Sequence, residues 1–121
     1  MKNAFVHSEL NTQDVTKAKG FYGKLFDWQL EDVPMEGMSY TMVKVEGQTA
    51  GGIMKNPIPG DSSSFWLVYV EVDDINAATK KAKDLGAKVM KDVTEVMGMG
   101  WLSIIVDPTG AALGLWKSKK A

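Results

Sequence analysis

Asp14-Val15-Thr16-Lys17-Ala18-Lys19-Gly20-Phe21-Tyr22-Gly23-Lys24-Leu25 and Asp74-Ile75-Asn76-Ala77-Ala78-Thr79-Lys80-Lys81-Ala82-Lys83-Asp84-Leu85 decide the fold. In the first stretch Val15, Ala18, Tyr22 and Leu25 recur at i, i+3, i+7 and i+10. Ile75, Ala78, Ala82 and Leu85 repeat that spacing 60 residues later. Each set is the apolar stripe of a helix packed on one face. Each stretch opens on an aspartate whose carboxylate can accept from the first unpaired backbone N–H groups. Gly86 supplies a stop for the second helix, whereas Gly20 weakens the middle of the first.

Working outward, strand-like runs precede the helices at 5–10 and 65–72. Three more follow each helix, at 28–33, 40–45 and 49–55, then at 87–92, 101–106 and 111–117. Glu46-Gly47-Gln48 and Asp107-Pro108-Thr109-Gly110 have turn chemistry between the last two runs of each half. Residues 56–64, rich in Pro, Gly and Ser, read as a linker. The chain is therefore expected to be α+β, with βαβββ repeated in tandem: module one over 1–55 and module two over 65–121 of a single domain. Units this small bury too little apolar surface alone, so they should pair.

Alternation assigns the faces of the opening strands. Val6, Leu10, Val68 and Val70 should turn toward the helices and form core. His7, Glu9, Leu67 and Tyr69 should line the opposite face, a wetter wall where substitutions of Glu9 or Tyr69 cost little stability.

Composition narrows the function. The chain has 121 residues, 45% hydrophobic, with 14 basic against 15 acidic side chains and a net charge of −1. No basic excess points to nucleic acid or an anionic membrane. The absence of cysteine removes thiol catalysis, disulfides and thiolate metal sites, and one histidine cannot supply a multi-histidine centre. Met1-Lys2-Asn3-Ala4 lacks the apolar run of a signal peptide, so a cytoplasmic location is expected.

Glu9-Leu10-x-Thr12-x-Asp14, Ala18-x-x-Phe21-Tyr22-x-x-Leu25-Phe26-x-Trp28, Val72-Asp73-Asp74, Lys83-x-Leu85-Gly86-Ala87 and Asp107-Pro108-x-Gly110-Ala111-x-x-Gly114-Leu115-Trp116 resemble the glyoxalase / bleomycin-resistance / dioxygenase (vicinal oxygen chelate) superfamily. The resemblance covers nearly the whole chain. It implies curved mixed sheets around a U-shaped cleft that holds a small molecule, and a homodimer. Metal-dependent members take ligands from the opening and last strands of each module. Carried over, those places fall at His7, at Leu67, at about Ile53 and at Gly114. Only His7 has a side-chain donor, whereas an open catalytic centre needs about three protein ligands. No divalent metal or other cofactor is therefore expected.

The candidate ligand-binding set is His7, Glu9, Leu67, Tyr69, Gly114 and Trp116. Glu9 follows His7 by two residues and shares its face, so the pair could grip a ligand or move a proton. Tyr69 offers an aromatic body with a polar tip. Ala112 and Gly114 leave room beside Trp116, Gly51 and Gly52 do the same in the first module, and a bulky residue at Gly114 should block binding while sparing the fold. Met35, Met38, Met97 and Met99 fall in loops before the third strand of each module, as adaptable apolar contacts. Three readings stay open: a metal-free protein binding a small organic ligand, a lyase or isomerase using His7 and Glu9 as acid and base, and a metal-dependent enzyme with non-standard ligands.

Overall fold

The computed structural model describes residues 2–35, 38–58, 60–96 and 98–119. Strand β1 (Phe5–Thr12) leads to helix α1 (Val15–Leu25), then β2 (Gln29–Met35), β3 (Met38–Val45) and β4 (Gln48–Lys55). The order repeats as β5 (Phe65–Glu71), α2 (Ile75–Asp84), β6 (Lys88–Val96), β7 (Gly100–Val106) and β8 (Ala112–Ser118). The doubled βαβββ order and the α+β class expected from the sequence are both present.

Two compact units result. The N-terminal unit is His7–Trp66; the C-terminal unit takes Leu67 onward together with the chain's first six residues. Backbone pairing explains why the start of the chain joins the second unit: Asn3 N–H donates to Glu71 O at 2.8 Å and Glu71 N–H to Ala4 O at 2.9 Å. Within the N-terminal unit the strand order is β2-β3-β4-β1, with β1 and β4 parallel and the other pairs antiparallel. The C-terminal unit repeats it as β6-β7-β8-β5, with β5 and β8 parallel. Among the described residues no helix is long and apolar enough to cross a membrane.

The caps form as their chemistry dictates. Asp14 accepts from Lys17 N–H and Asp74 from Ala77 N–H, each at 3.0 Å. Gly86 leaves α2 at φ +105°, a conformation that favours glycine. Asp107 Oδ1 gathers Thr109 N–H, Thr109 O–H and Ala111 N–H, which closes the Asp-Pro-x-Gly turn and holds the Asp107 carboxyl below its ordinary pKa.

Each helix packs on strands of its own unit. Leu10, Val43 and Ile53 are buried with Val15, Ala18, Tyr22, Trp28 and Leu30 against them. Val72, Ile75, Ile105 and Leu115 form the counterpart, packed by Ala78, Ala82 and Leu113. Three expectations need correction. Leu25 and Leu85 are exposed, because one is the last residue of α1 and the other the C-cap of α2, where the stripe runs past the sheet. Val6 and Val68 are 43% and 40% exposed rather than core, and Val70 is only half-buried. Met35 and Met38 end and begin paired strands instead of lying in a loop; Met97 lies outside the described residues.

Candidate functional site

In the N-terminal unit, β1 places His7, Glu9 and Asn11 on one face at two-residue spacing. Glu9 is 1% exposed and Asn11 0% exposed, which overturns the expectation of a wet wall. In register, Glu9 lies opposite Gly52 and Asn11 opposite Met54 of β4, while Gly52 in turn lies opposite Met42 of β3. Met42 and Met54 are buried, so the polar side chains sit in apolar surroundings.

These side chains make one continuous chain of hydrogen bonds. Tyr40 O–H donates to Glu9 Oε2 at 2.7 Å, and Asn11 Nδ2 donates to Glu9 Oε1 at 3.2 Å. With its proton given to Glu9, the Tyr40 oxygen accepts from His7 Nε2 at 2.8 Å. Burial disfavours the imidazolium and lowers the His7 pKa from 6.5 to about 4. Burial first, then the Glu9 charge, push the Tyr40 phenol well above its ordinary value. At neutral pH the face therefore presents a neutral imidazole and a neutral phenol.

A Cβ at Gly52 would overlap the Tyr40 ring, so glycine here is what lets Tyr40 lie across β4 and reach Glu9. Gly51 lies so close to the Ser8 carbonyl that it leaves no open space. The last-strand place expected at about Ile53 is occupied by Gly52: Glu9 pairs with Gly52 as Tyr69 pairs with Gly114. Ile53 points to the helix side and is core.

In the C-terminal unit Leu67 and Tyr69 are each 1% exposed, so Tyr69 too is no wet-wall residue. A Cβ at Gly114 would overlap the Tyr69 ring. The room expected beside Gly114 is thus filled, and a bulky side chain there cannot spare the fold. Gly114→Ala should lower stability by about 1–3 kcal/mol, the usual cost of overpacking; an unfolding free energy in urea within about 0.5 kcal/mol of wild type, the range of a neutral surface change, would reject the seat assigned to Tyr69. Trp116 is half-buried, covers Gly100 and donates through Nε1 to Ser118 Oγ at 3.1 Å.

Tyr40 and Asn11 were not singled out from sequence. Asn11 continues the two-residue phase of His7 and Glu9, a signal that was there to read. Tyr40 reaches the network from β3, through space, and no local pattern marks it.

The donor chemistry does not fit an open metal centre. Leu67 and Gly114 offer no side-chain donor, and His7 Nε2 and both Glu9 oxygens are engaged in the hydrogen bonds above. Among the described residues no three of His, Cys, Asp and Glu gather.

Comparison with known proteins places these features. Residues 4–115 match the profile of the Glyoxalase/Bleomycin resistance protein/Dioxygenase superfamily. CFP32 of Mycobacterium tuberculosis, which carries a glyoxylase designation, is 35% identical over 116 residues, covering 93% of this chain and 44% of that protein. The anthracycline biosynthesis protein DnrV of Streptomyces peucetius is 28% identical, covering 90% of this chain and 45% of its own length. The chain thus spans less than half the length of these relatives. In fold it is similar to Streptomyces coelicolor methylmalonyl-CoA epimerase in complex with 2-nitronate-propionyl-CoA, with TM-score 0.69 at 14% identity over 99% of this chain and 100% of that one. The Mn(II)-bound glyoxalase of Novosphingobium aromaticivorans gives 0.60 at 16% identity, over 99% of this chain and 42% of that one.

Proposed function

Since the chain belongs to the glyoxalase/bleomycin resistance protein/dioxygenase superfamily, we propose that it binds a small organic molecule on the His7–Tyr40–Glu9–Asn11 face, without a divalent metal. The observation that carries this reading is the burial of a carboxylate, held by Tyr40 and Asn11 among methionines. Burying a carboxyl group among apolar side chains stabilises a fold poorly compared with apolar packing, and perturbed titratable groups cluster at functional sites. The same role is proposed for Leu67, Tyr69 on its Gly114 seat, and Trp116 on the matching face of the C-terminal unit. The biosynthetic designation of DnrV supports an oxygenated aromatic ligand.

A thermal-shift screen of oxygenated aromatics, followed by titration, tests the reading. Hits should bind Tyr40→Phe and Glu9→Gln about tenfold more weakly, the loss of one good hydrogen bond. Hits that bind both variants like wild type would remove the face from the site. On elemental analysis the purified protein should carry no stoichiometric Zn, Ni, Mn or Fe; about one metal per chain, lost in His7→Ala, would overturn the metal-free reading.

A lyase or isomerase reading has one specific support: His7 stays neutral at pH 7 and is held by Tyr40, as a base requires. Turnover of a hit, abolished in His7→Gln, separates it from binding alone. A cytoplasmic homodimer is proposed too. The exposed aromatic edge of the N-terminal unit, with Phe21, Phe26 and Trp66 around Tyr22 and Trp28, supports association. Light scattering that gives a 13.2 kDa species at micromolar concentration would reject the dimer.

A further inference from the structure

Asn11 carries one polar atom that the hydrogen-bond chain leaves over. Its side chain is wholly buried. The contact orients the amide: Nδ2 donates to Glu9 Oε1 at 3.2 Å, so the nitrogen faces the Glu9 carboxyl group. The oxygen, Oδ1, then faces away and has no hydrogen-bond partner among the described residues.

The neighbouring protons of the relay are already spent. Tyr40 gives its hydroxyl proton to Glu9, and His7 Nε2 gives its proton to Tyr40. Neither can turn to Asn11 without breaking a short hydrogen bond within the relay. A buried acceptor left this way is strongly disfavoured unless a donor arrives from outside the chain. The register puts Met54 directly across from Asn11, and its unbranched thioether chain can move aside for an incoming group.

We propose that Asn11 is a specificity-determining contact: its Oδ1 accepts a hydrogen bond from a hydroxyl group of the bound molecule, so the site selects hydroxylated compounds over their ethers. This rests on the ligand-binding reading above and adds the chemical class of the ligand. The hydroxyl proton points to Oδ1, while the apolar body of the molecule lies over Met54 and Met42. An ether of the same shape brings a second acceptor to Oδ1 and is rejected, because a site built to pair with a donor loses most when the donor is missing.

Matched probes test this: 2-naphthol against 2-methoxynaphthalene, and benzyl alcohol against benzyl methyl ether, titrated into wild type and Asn11→Leu. Wild type should prefer the hydroxyl member of each pair about tenfold, and Asn11→Leu should bring the two members within about twofold. Should Asn11→Leu fail to fold, a wild-type crystal soaked with 2-naphthol decides. The naphthol oxygen about 3 Å from Asn11 Oδ1 supports the assignment. A water on Oδ1 with the naphthol elsewhere overturns it. Equal binding of alcohol and ether, or a preference that survives Asn11→Leu, overturns the role of Asn11 and leaves ligand binding standing. Failure of wild type to bind any of the four probes counts against the ligand-binding reading and this inference together.

Discussion

Glu9→Ala should lower the unfolding free energy by about 3–5 kcal/mol, from two buried donors left unpaired at about 1–3 kcal/mol each and the cavity that the truncation opens. Two losses combine. The Tyr40 hydroxyl and the Asn11 amide each lose their acceptor in a place where water does not reach them. The truncation also leaves a hole beside Gly52, which has no side chain to fill it. Glu9→Gln keeps the volume and one acceptor oxygen for Asn11, so it should cost only about 1–2 kcal/mol. The double variant Glu9→Ala/Tyr40→Phe should cost less than the sum of its parts by about 1 kcal/mol or more, because both changes break the same hydrogen bond. Urea unfolding of wild type, Glu9→Ala, Glu9→Gln, Tyr40→Phe and the double variant reads all of this. A Glu9→Ala protein within about 1 kcal/mol of wild type would mean that the carboxylate is not held as described.

The same residue shows what the sequence made legible and what it did not. The repeat could be read because helix periodicity, capping aspartates and turn residues are local, and local chemistry formed the elements where it pointed. The phase of β1 and β5 was also local: Leu10 does face the helix, and His7, Glu9, Leu67 and Tyr69 do alternate with it. What alternation cannot say is which face is covered. Val6 and Val68 share a phase with Leu10 yet stay open, while Glu9 and Tyr69 are buried. An 11-residue helix and a 10-residue helix each cover only part of their unit's four strands, and Val6 is not among the residues packed around Leu10. The slip from Gly52 to Ile53 has a similar origin. The repeat offset is 60 residues at the helices and 62 at the last strands, where Gly52 matches Gly114. Placing the last-strand position at Ile53 allows one extra residue in the loops where the second half holds two, and in a strand one residue is the opposite face. Tyr40 could not be read at all, because its contact with Glu9 joins residues 31 apart in sequence.

Stability should fall as the pH drops from about 6.5 toward 4, by on the order of 3 kcal/mol for His7 alone. The sign follows from the direction of the shift. Burial lowers the His7 pKa from 6.5 to about 4, so between those values the unfolded chain binds a proton that the folded chain does not. The stabilising contribution is complete above pH 6.5 and is lost as the pH falls through the window. The groups that face His7 do not reverse this: the Tyr40 phenol, pushed upward, stays protonated throughout, and its hydroxyl remains directed to Glu9. The lowered carboxyls of Asp32, Asp61 and Asp107 lie at the surface and lose their contribution below the ordinary aspartate range, outside the window. His7→Gln removes the titration while keeping an amide that can donate to Tyr40. Its urea midpoint should therefore change less between pH 6.5 and 4.5 than that of wild type. Parallel curves for the two proteins across that interval would show that His7 takes up its proton as readily folded as unfolded. The imidazole would then lie in water rather than against Tyr40, and the base proposed for the face would lose its physical ground.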